Sequence, residues 1–255
     1  MKHIMKFSTT PQYQEWKAAN SGLSPYFCCC VDTGAKYYQE LINNNGHEFV
    51  DLGLPSGTLW ATMNIGASAV GQVGGYYAWG ETSTKSDYSW ETYAWGTEDA
   101  LTKYNATDGK YCLDLEDDVA HVLWGGDWHI PSPAQIQELC AYTNFPSEGD
   151  YKGYQSTLNG EIIWLWEGGE TNGEMDGTSI KGLTRGCFIF MSNSLSTNTP
   201  KAVQCFWDDG EGYSSVNPHE DPWTDIRSWG FQVRAVIGTL DNFDYPDSGG
   251  SIVMR

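Results

Sequence analysis

The chain has 255 residues, enough for one large domain or for one domain with a small appendage. Asp and Glu total 33 against 14 Lys and Arg, so the net charge is −19. This balance argues against sequence-independent binding to nucleic acid or to an anionic membrane, since both need a basic surface.

The opening stretch, MKHIMKFSTTPQYQEW, lacks the apolar core of a Sec signal peptide. No window reaches the roughly 18 consecutive apolar residues of a membrane-spanning helix. We therefore expect neither a Sec signal nor membrane insertion, while export by a signal-independent route and release in a virus particle both stay open.

Residues 1–46 are predicted to form a small separate module. A strand is followed by a helix that begins at Thr10-Pro11 and ends near Gly22, and then by a hairpin in YFCCCVDTGAKYYQEL with its turn at Asp32-Thr33-Gly34. The stretch NNNGHE is predicted to be a linker. A unit of this size suits attachment or assembly rather than catalysis.

Residues 47–238 form a block rich in Gly and Trp, which we predict to be one α+β domain with two helices and many short strands. An aromatic loop, GGYYAWGETSTKSDYSWETYAWG, precedes the helices. Alternating or continuous apolar character predicts strands in EFVDLGLPSGTLWATMNIG, GEIIWLW, CFIFMSNS, AVQCFWDD and WGFQVRAVIG. Residues 239–255 are predicted to be a polar tail, in which SIVMR could add an edge strand.

The first helix is predicted near 114–124, in DLEDDVAHVLW. Asp114 is the expected N-cap, the acidic residues after it fill the first turn, and Gly125-Gly126 ends the helix. The apolar residues at helical spacing, which we expect to face the core, are Leu115, Val119, Val122 and Leu123.

The second helix is predicted near 132–143. Ser132 and Gln135 have capping-box spacing, with Pro133 at the first helical position. We interpret His129 and the carboxylates before it as a packed corner rather than an active site. Trp124 and Trp128 are accordingly expected to be largely buried.

The cysteines and histidines show no pattern typical of a metal or catalytic site. Neighbours along a strand point to opposite faces, so the run Cys28-Cys29-Cys30 cannot ligate one ion together, and we expect buried free thiols. Cys187 and Cys205 are likewise expected to pack in the core. The five histidines are scattered, without a nucleophile–base pair at close spacing: His3, His47, His121, His129 and His219.

Five motifs occur in an order that resembles the Fibrobacter succinogenes major paralogous domain family of gut Bacteroidales and their phages: FVDLGLPSGTLWATMNIGA, YYAWGET, LTKYNAT, LEDDVAHVLWGGDWHIPSPAQIQEL and WGFQVRAV. The resemblance covers residues 47–238. It implies a C-type-lectin-like fold of the formylglycine-generating-enzyme type. Some members are variable proteins of diversity-generating retroelements, whose C-terminal segment is mutated to change ligand specificity. Met63 and His129 stand where the family commonly has Cys and Arg, so no role of those two residues carries over.

With this resemblance, we expect a non-enzymatic ligand-binding or adhesion protein that recognises a protein or glycan on a cell surface. The segment 192–229 is rich in Ser, Asn, Asp, Tyr and Trp, a composition that suits a recognition surface. The candidate contact residues are Asn193, Ser196, Asn198, Trp207, Asp209, Tyr213, Trp223, Ser228 and Trp229. If these prove to be core, the aromatic loop from Tyr76 to Trp95 is the next candidate.

No cofactor is expected, with one exception: Asp208, Asp209 and Glu211 could offer hard oxygen ligands to calcium, although the spacing lacks a full EF-hand loop. Two alternative functions stay open. One is a formylglycine-generating-type oxidase, which would need a reactive, partly exposed thiolate at Cys187 or Cys205. The other is a purely structural component of a phage tail or surface appendage.

Overall fold

The computed structural model describes residues 3–7, 26–30, 36–38, 45–70, 72–148, 151–166, 170–171, 175–176, 179–180, 188–196, 201–208, 214–215 and 224–238. In chain order, the strands of these residues are β1 His3–Phe7, β2 Tyr26–Cys30, β3 Lys36–Tyr38, β4 Phe49–Asp51, β5 Leu59–Asn64, β6 Gly96–Thr97, β7 Ala100–Leu101, β8 Trp128–His129, β9 Thr143–Asn144, β10 Ser147–Glu148, β11 Tyr151–Ser156, β12 Ile162–Trp166, β13 Glu170–Thr171, β14 Met175–Asp176, β15 Ser179–Ile180, β16 Phe188–Leu195, β17 Ala202–Asp208, β18 Ser214–Ser215, β19 Thr224–Ile226, β20 Gly230–Phe231 and β21 Arg234–Ile237.

The helices of the described residues are short: α1 Val119–Trp124, α2 Pro133–Ala141 and 3₁₀ turns at Trp90–Thr92 and Leu115–Asp117. Apart from β1 with β2, the paired strands are antiparallel. The predicted α+β class is therefore confirmed.

Among residues 1–46, β2 and β3 form the predicted antiparallel hairpin. β1 pairs with β2 in parallel, an arrangement that the sequence did not predict. Parallel neighbours need a crossover connection rather than a tight turn. The predicted helix after Thr10 lies outside the described residues.

A four-stranded sheet of order β4-β5-β21-β8 joins the two ends of the 47–238 block. Adjacent residues of this sheet point to opposite faces, as the pleat requires. Trp60 and Val236 pack with α2 and β11–β12 on one face, whereas Ala61 and Ala235 pack with α1 on the other. Each of the two hydrophobic cores contains residues from before and after residue 130. The 47–238 block is therefore not divided near residue 130 into two halves with separate cores.

The structure confirms the second predicted helix and corrects the first. Ser132 Oγ accepts from Gln135 N at 3.3 Å while Gln135 Oε1 accepts from Ser132 N at 2.9 Å, so the predicted capping box caps α2. The first helix was predicted to begin after Asp114, but a 3₁₀ turn stands there and α1 begins only at Val119. Asp118 is the N-cap, with its side chain accepting from the backbone N–H groups of Ala120 and His121.

This later start changes which face of α1 is buried. Val119, Ala120 and Trp124 are buried, but three residues predicted to face the core are largely exposed: Leu115 (43%), Val122 (46%) and Leu123 (49%). The prediction for those three residues was wrong, because a helix that begins at Val119 presents a different set of side chains to the sheet.

The predicted linker is packed against the corner at its end. His47 stacks on Trp124 with ring centroids 4.0 Å apart, and Asn45 Nδ2 donates to the Trp124 carbonyl at 3.1 Å. Gly125, at φ 68°, leaves the space that Asn45 occupies, since a Cβ there would lie 2.8 Å from Asn45 Nδ2. The last residues before β4 therefore help to hold the end of α1.

Candidate functional site

The predicted recognition segment is built around one sheet. β17 pairs with β16 along one edge and with both β18 and β19 along the other. Ala202 pairs with Ile226 at the start of β17, and Asp208 pairs with Ser214 at its end. β18 and β19 thus occupy successive positions along the same edge, and residues 216–223 connect them.

This topology spreads the candidate contact residues that the structure describes along β17. In the chain, Ser196, Asn198, Ser228 and Trp229 adjoin the Ala202–Ile226 end, whereas Asp209 and Tyr213 adjoin the Asp208–Ser214 end. Seven extended residues span about 20 Å. The described candidates Ser196, Ser228 and Trp229 therefore lie near one end of β17, and the backbone of Trp207 lies near the other.

Three of the nine residues are buried, which contradicts their assignment to an exposed surface: Asn193, Ser196 and Ser228. The cause at Asn193 is pairing of residues 111–113 with β16, where Leu113 N donates to Asn193 O at 3.0 Å. Asn193 N in turn donates to Pro131 O at 2.9 Å. These polar side chains stand within the packed molecule rather than on a recognition face.

Trp229 is half-buried and packs against the core of the α1 face. Trp207 lies on β17, but its side chain is outside the described part. Asn198, Asp209, Tyr213 and Trp223 lie outside the described residues and stay predictions. The same holds for the calcium ligands, because only the backbone of Asp208 is described and Asp209 and Glu211 are not.

Arg227 anchors the chain at the end of this segment and is fully buried. Its guanidinium carbon lies 4.9 Å from the ring centroid of Trp79 and 5.2 Å from that of Tyr93. Nε donates to the Tyr93 hydroxyl at 2.7 Å, and Nη1 donates to the Tyr104 carbonyl at 2.8 Å. The Arg227 guanidinium thus connects the residues between β19 and β20 to the aromatic loop, through Tyr93, and to the backbone of Tyr104. The sequence did not predict this connection.

The aromatic loop from Tyr76 to Trp95, the fallback recognition face, supplies core side chains instead. Tyr76, Tyr77, Trp79, Tyr88 and Tyr93 are each at most 6% exposed. Burial raises the pKa of the Tyr93 hydroxyl above its usual range, although the neighbouring Arg227 opposes that shift. These five side chains cannot serve as surface contacts.

A network of ion pairs surrounds Lys103, the residue before Tyr104. Asp114, Glu116 and Asp117 are the described residues whose carboxylates group as cation ligands would, but Lys103 Nζ already lies 2.5 Å from Asp117 and 3.1 Å from Glu116. Burial would lower the pKa of Lys103, but its hydrogen bonds to Asp117 and Glu116 outweigh that effect and raise it. The Lys103 ammonium therefore balances the negative charge of these three carboxylates.

Asp118 holds the corner around His129 together, and its side chain is buried, at 2% exposure. Its Oδ1 caps α1, while Oδ2 accepts from Ile130 N at 2.8 Å, so one carboxylate joins α1 to the residue after β8. Burial raises the pKa of Asp118, opposed by these backbone donors and by nearby His129. Trp128 and Trp124, at 0% and 9% exposure, confirm the predicted packing of the corner.

None of the helices in the described ranges is both long and apolar enough to cross a bilayer. Comparisons of the chain with models of protein families, with curated proteins and with solved structures gave no match.

Proposed function

We propose that this protein is a non-enzymatic binding protein with a C-type-lectin-like fold, whose ligand is a protein or glycan on a cell surface. In this proposal residues 47–238 are the binding domain, residues 1–46 attach it to a larger assembly, and the connections of the β16–β19 sheet contact the ligand. The family resemblance of the five ordered motifs is the reason for choosing this fold and this class of function.

The sheet around β17 is the observation that carries the proposal. Its strands are fixed to the core by buried side chains at one end, where Arg227 N donates to Lys201 O and the Arg227 guanidinium lies among aromatic rings. Binding proteins commonly combine a rigid scaffold with variable connecting segments. The connections here contain the Tyr, Trp, Ser and Asn residues that suit adaptable recognition.

We assign the candidate residues to two roles. Asn193, Ser196 and Ser228 are buried and support the sheet. Asn198, Trp207, Asp209, Tyr213 and Trp223 are retained as the proposed contact residues, with Trp229 at the border between surface and core. Lys201 pairs with Asp99 at 3.3 Å and with Glu98 at 3.5 Å, so the β6–β7 hairpin lies beside the start of β17.

The experiment is a binding assay with labelled protein on a printed array of bacterial surface glycans and on intact Bacteroidales cells. We expect saturable binding that Tyr213→Ala and Trp223→Ala each weaken about thirtyfold or more, the effect of losing an aromatic anchor worth about 2 kcal/mol. Leu158→Ala is the matched control, since Leu158 is 51% exposed on the β11–β12 turn.

Two outcomes would point elsewhere. Oxidation of a cysteine-containing peptide by the purified protein would favour the oxidase, and its loss in Cys187→Ser or Cys205→Ser would locate the thiol. Stable incorporation into virions without binding to any glycan or cell would favour the purely structural role.

A further inference from the structure

The cysteine run Cys28-Cys29-Cys30 forms most of β2, the central strand of the β1-β2-β3 sheet. Successive residues of a strand belong to alternate faces, so Cys28 and Cys30 share one face of this sheet and Cys29 belongs to the other. Residues two apart in a strand are separated by about 7 Å, a distance that two thiolate sulfurs bound to one metal ion can close. The three cysteines cannot ligate one ion together, but the first and the last can.

The parallel register of β1 and β2 adds a third sulfur-bearing residue to the face of Cys28. Met5 is the register partner of Cys28, and neighbouring strands lie about 4.8 Å apart. Register partners share a face, so Met5 lies beside Cys28 and diagonal to Cys30. His3 pairs with Tyr26, at the opposite end of β2 from Cys30, about 13 Å along the ladder. The residues that the register groups most closely are therefore two cysteines and one methionine.

The other face of the sheet carries positive charge. Cys29 pairs with Lys6 of β1 and with Lys36 of β3, so a lysine position adjoins it on each side. Among the residues of β1, β2 and β3, no Lys or Arg shares the face of Cys28. Because like charges repel, a metal cation is disfavoured beside Cys29 and meets no such opposition on the Cys28 face.

The three sulfur-bearing residues determine which ion suits the Cys28 face. Thiolate and thioether sulfurs are soft ligands that select copper(I), whereas Mg²⁺, Ca²⁺ and Mn²⁺ take carboxylate, carbonyl and water oxygens. A structural zinc site needs a closed tetrahedral set of Cys, His or carboxylate ligands. Methionine is not a member of that set, so its position beside Cys28 favours copper(I) over zinc.

We propose that the face shared by Met5, Cys28 and Cys30 binds a copper(I) ion, with the two thiolates and the thioether as its ligands. Binding releases the thiol protons of Cys28 and Cys30 to solvent, since a ligating cysteine is deprotonated. The ion connects β1 to β2 and thereby stabilises their parallel pairing. This site lies within residues 1–46, so it does not depend on the ligand contacts proposed for residues 47–238.

The first test measures how well the reduced full chain competes for Cu(I) with the chromophoric chelator bathocuproine disulfonate in the absence of oxygen. We expect Cys28→Ser and Cys30→Ser each to weaken the tightest copper binding by more than the roughly tenfold to hundredfold cost of losing an outer-shell partner. Met5→Leu, which removes only the thioether, should weaken it about tenfold. Cys29→Ser is the matched control, because it removes the same number of thiols, and it should leave the affinity unchanged.

The second test needs no variant and therefore stands even if a cysteine substitution prevents folding. The wild-type chain, with and without Cu(I), is treated briefly with N-ethylmaleimide, and the labelled cysteines are located by tandem mass spectrometry. We expect Cu(I) to protect Cys28 and Cys30 while Cys29 is labelled as in the metal-free chain. Equal protection of all three cysteines, no protection of any, equal losses of affinity in Cys29→Ser and Cys30→Ser, or tighter binding of Zn²⁺ than of Cu(I) would overturn the proposal.

Discussion

Asp118 is the residue on which the 114–140 corner depends most. Its carboxylate accepts from three backbone N–H groups, two of α1 and one of Ile130, in a buried position. We predict that Asp118→Ala lowers the free energy of unfolding by about 2–4 kcal/mol, because the cap is lost and buried donors are left without acceptors. Asp99→Asn, whose carboxylate is 93% exposed, should change it by less than about 0.5 kcal/mol in the same urea titration. Equal effects of the two substitutions would show that the buried cap is dispensable.

Trp128 is the fully buried aromatic residue of the same corner, in edge contact with Trp124 at a centroid distance of 5.0 Å. Trp128→Ala should destabilise the protein by about 3–5 kcal/mol, the usual range for a large aromatic side chain in a core. Leu123→Ala, on the exposed side of α1, should cost less than about 0.5 kcal/mol. A melting curve of Trp128→Ala that coincides with the wild-type curve would contradict this packing.

Arg227 connects the β16–β19 sheet to the aromatic loop. We predict that Arg227→Lys lowers the free energy of unfolding by about 2 kcal/mol or more, since an ammonium cannot reproduce the planar hydrogen-bonding fork or the stacking on Trp79. Lys201→Ala, which removes a half-exposed surface cation, is the control. Chemical denaturation of both variants tests the prediction, and an Arg227→Lys variant as stable as the control would remove Arg227 as the anchor.

How much of these elements could be predicted depends on whether the signal is local. The capping box of α2 uses Ser132 and Gln135, three residues apart, and the sequence predicted it correctly. The start of α1 was misplaced because several acidic residues could each cap a helix, and only tertiary contact with Ile130 selects Asp118. The burial of Arg227 could not be predicted, since arginine is usually exposed and its aromatic partners are more than a hundred residues away.

For the whole molecule, pairing of β5 with β21 closes the block that begins near residue 47 and ends near 238. The sequence predicted both strands from their apolar pattern, but not their pairing, because strand partners depend on contacts distant in the chain. The recognition surface was predicted from composition alone. Composition does not separate an exposed Ser or Asn from one paired within a sheet, which explains the errors at Asn193, Ser196 and Ser228.

Five buried tyrosines give the molecule a predictable response to alkali. Burial raises the pKa of Tyr76, Tyr77, Tyr88, Tyr93 and Tyr104 above the ordinary value of 10.0. Above pH 10 the unfolded chain releases these protons while the folded chain keeps them, so stability falls as pH rises, by up to about 1.4 kcal/mol per pH unit per tyrosine. We predict that tyrosinate absorbance rises in two stages, with exposed tyrosines first and these five together with unfolding. A single reversible titration in which secondary structure persists would contradict the prediction.

In the proposed function, a fixed scaffold carries independent recognition segments. A single measurement tests this: residues 209–213 and 216–223 are replaced by Gly-Ser sequences of equal length, and both the melting temperature and the binding of the labelled chain to glycans and cells are recorded. We expect complete loss of binding and cooperative unfolding within a few degrees of the parent chain, because the proposal assigns these connections to ligand contact, and changes in surface connections alter stability little. Loss of cooperative unfolding, or binding that survives both replacements, would contradict it.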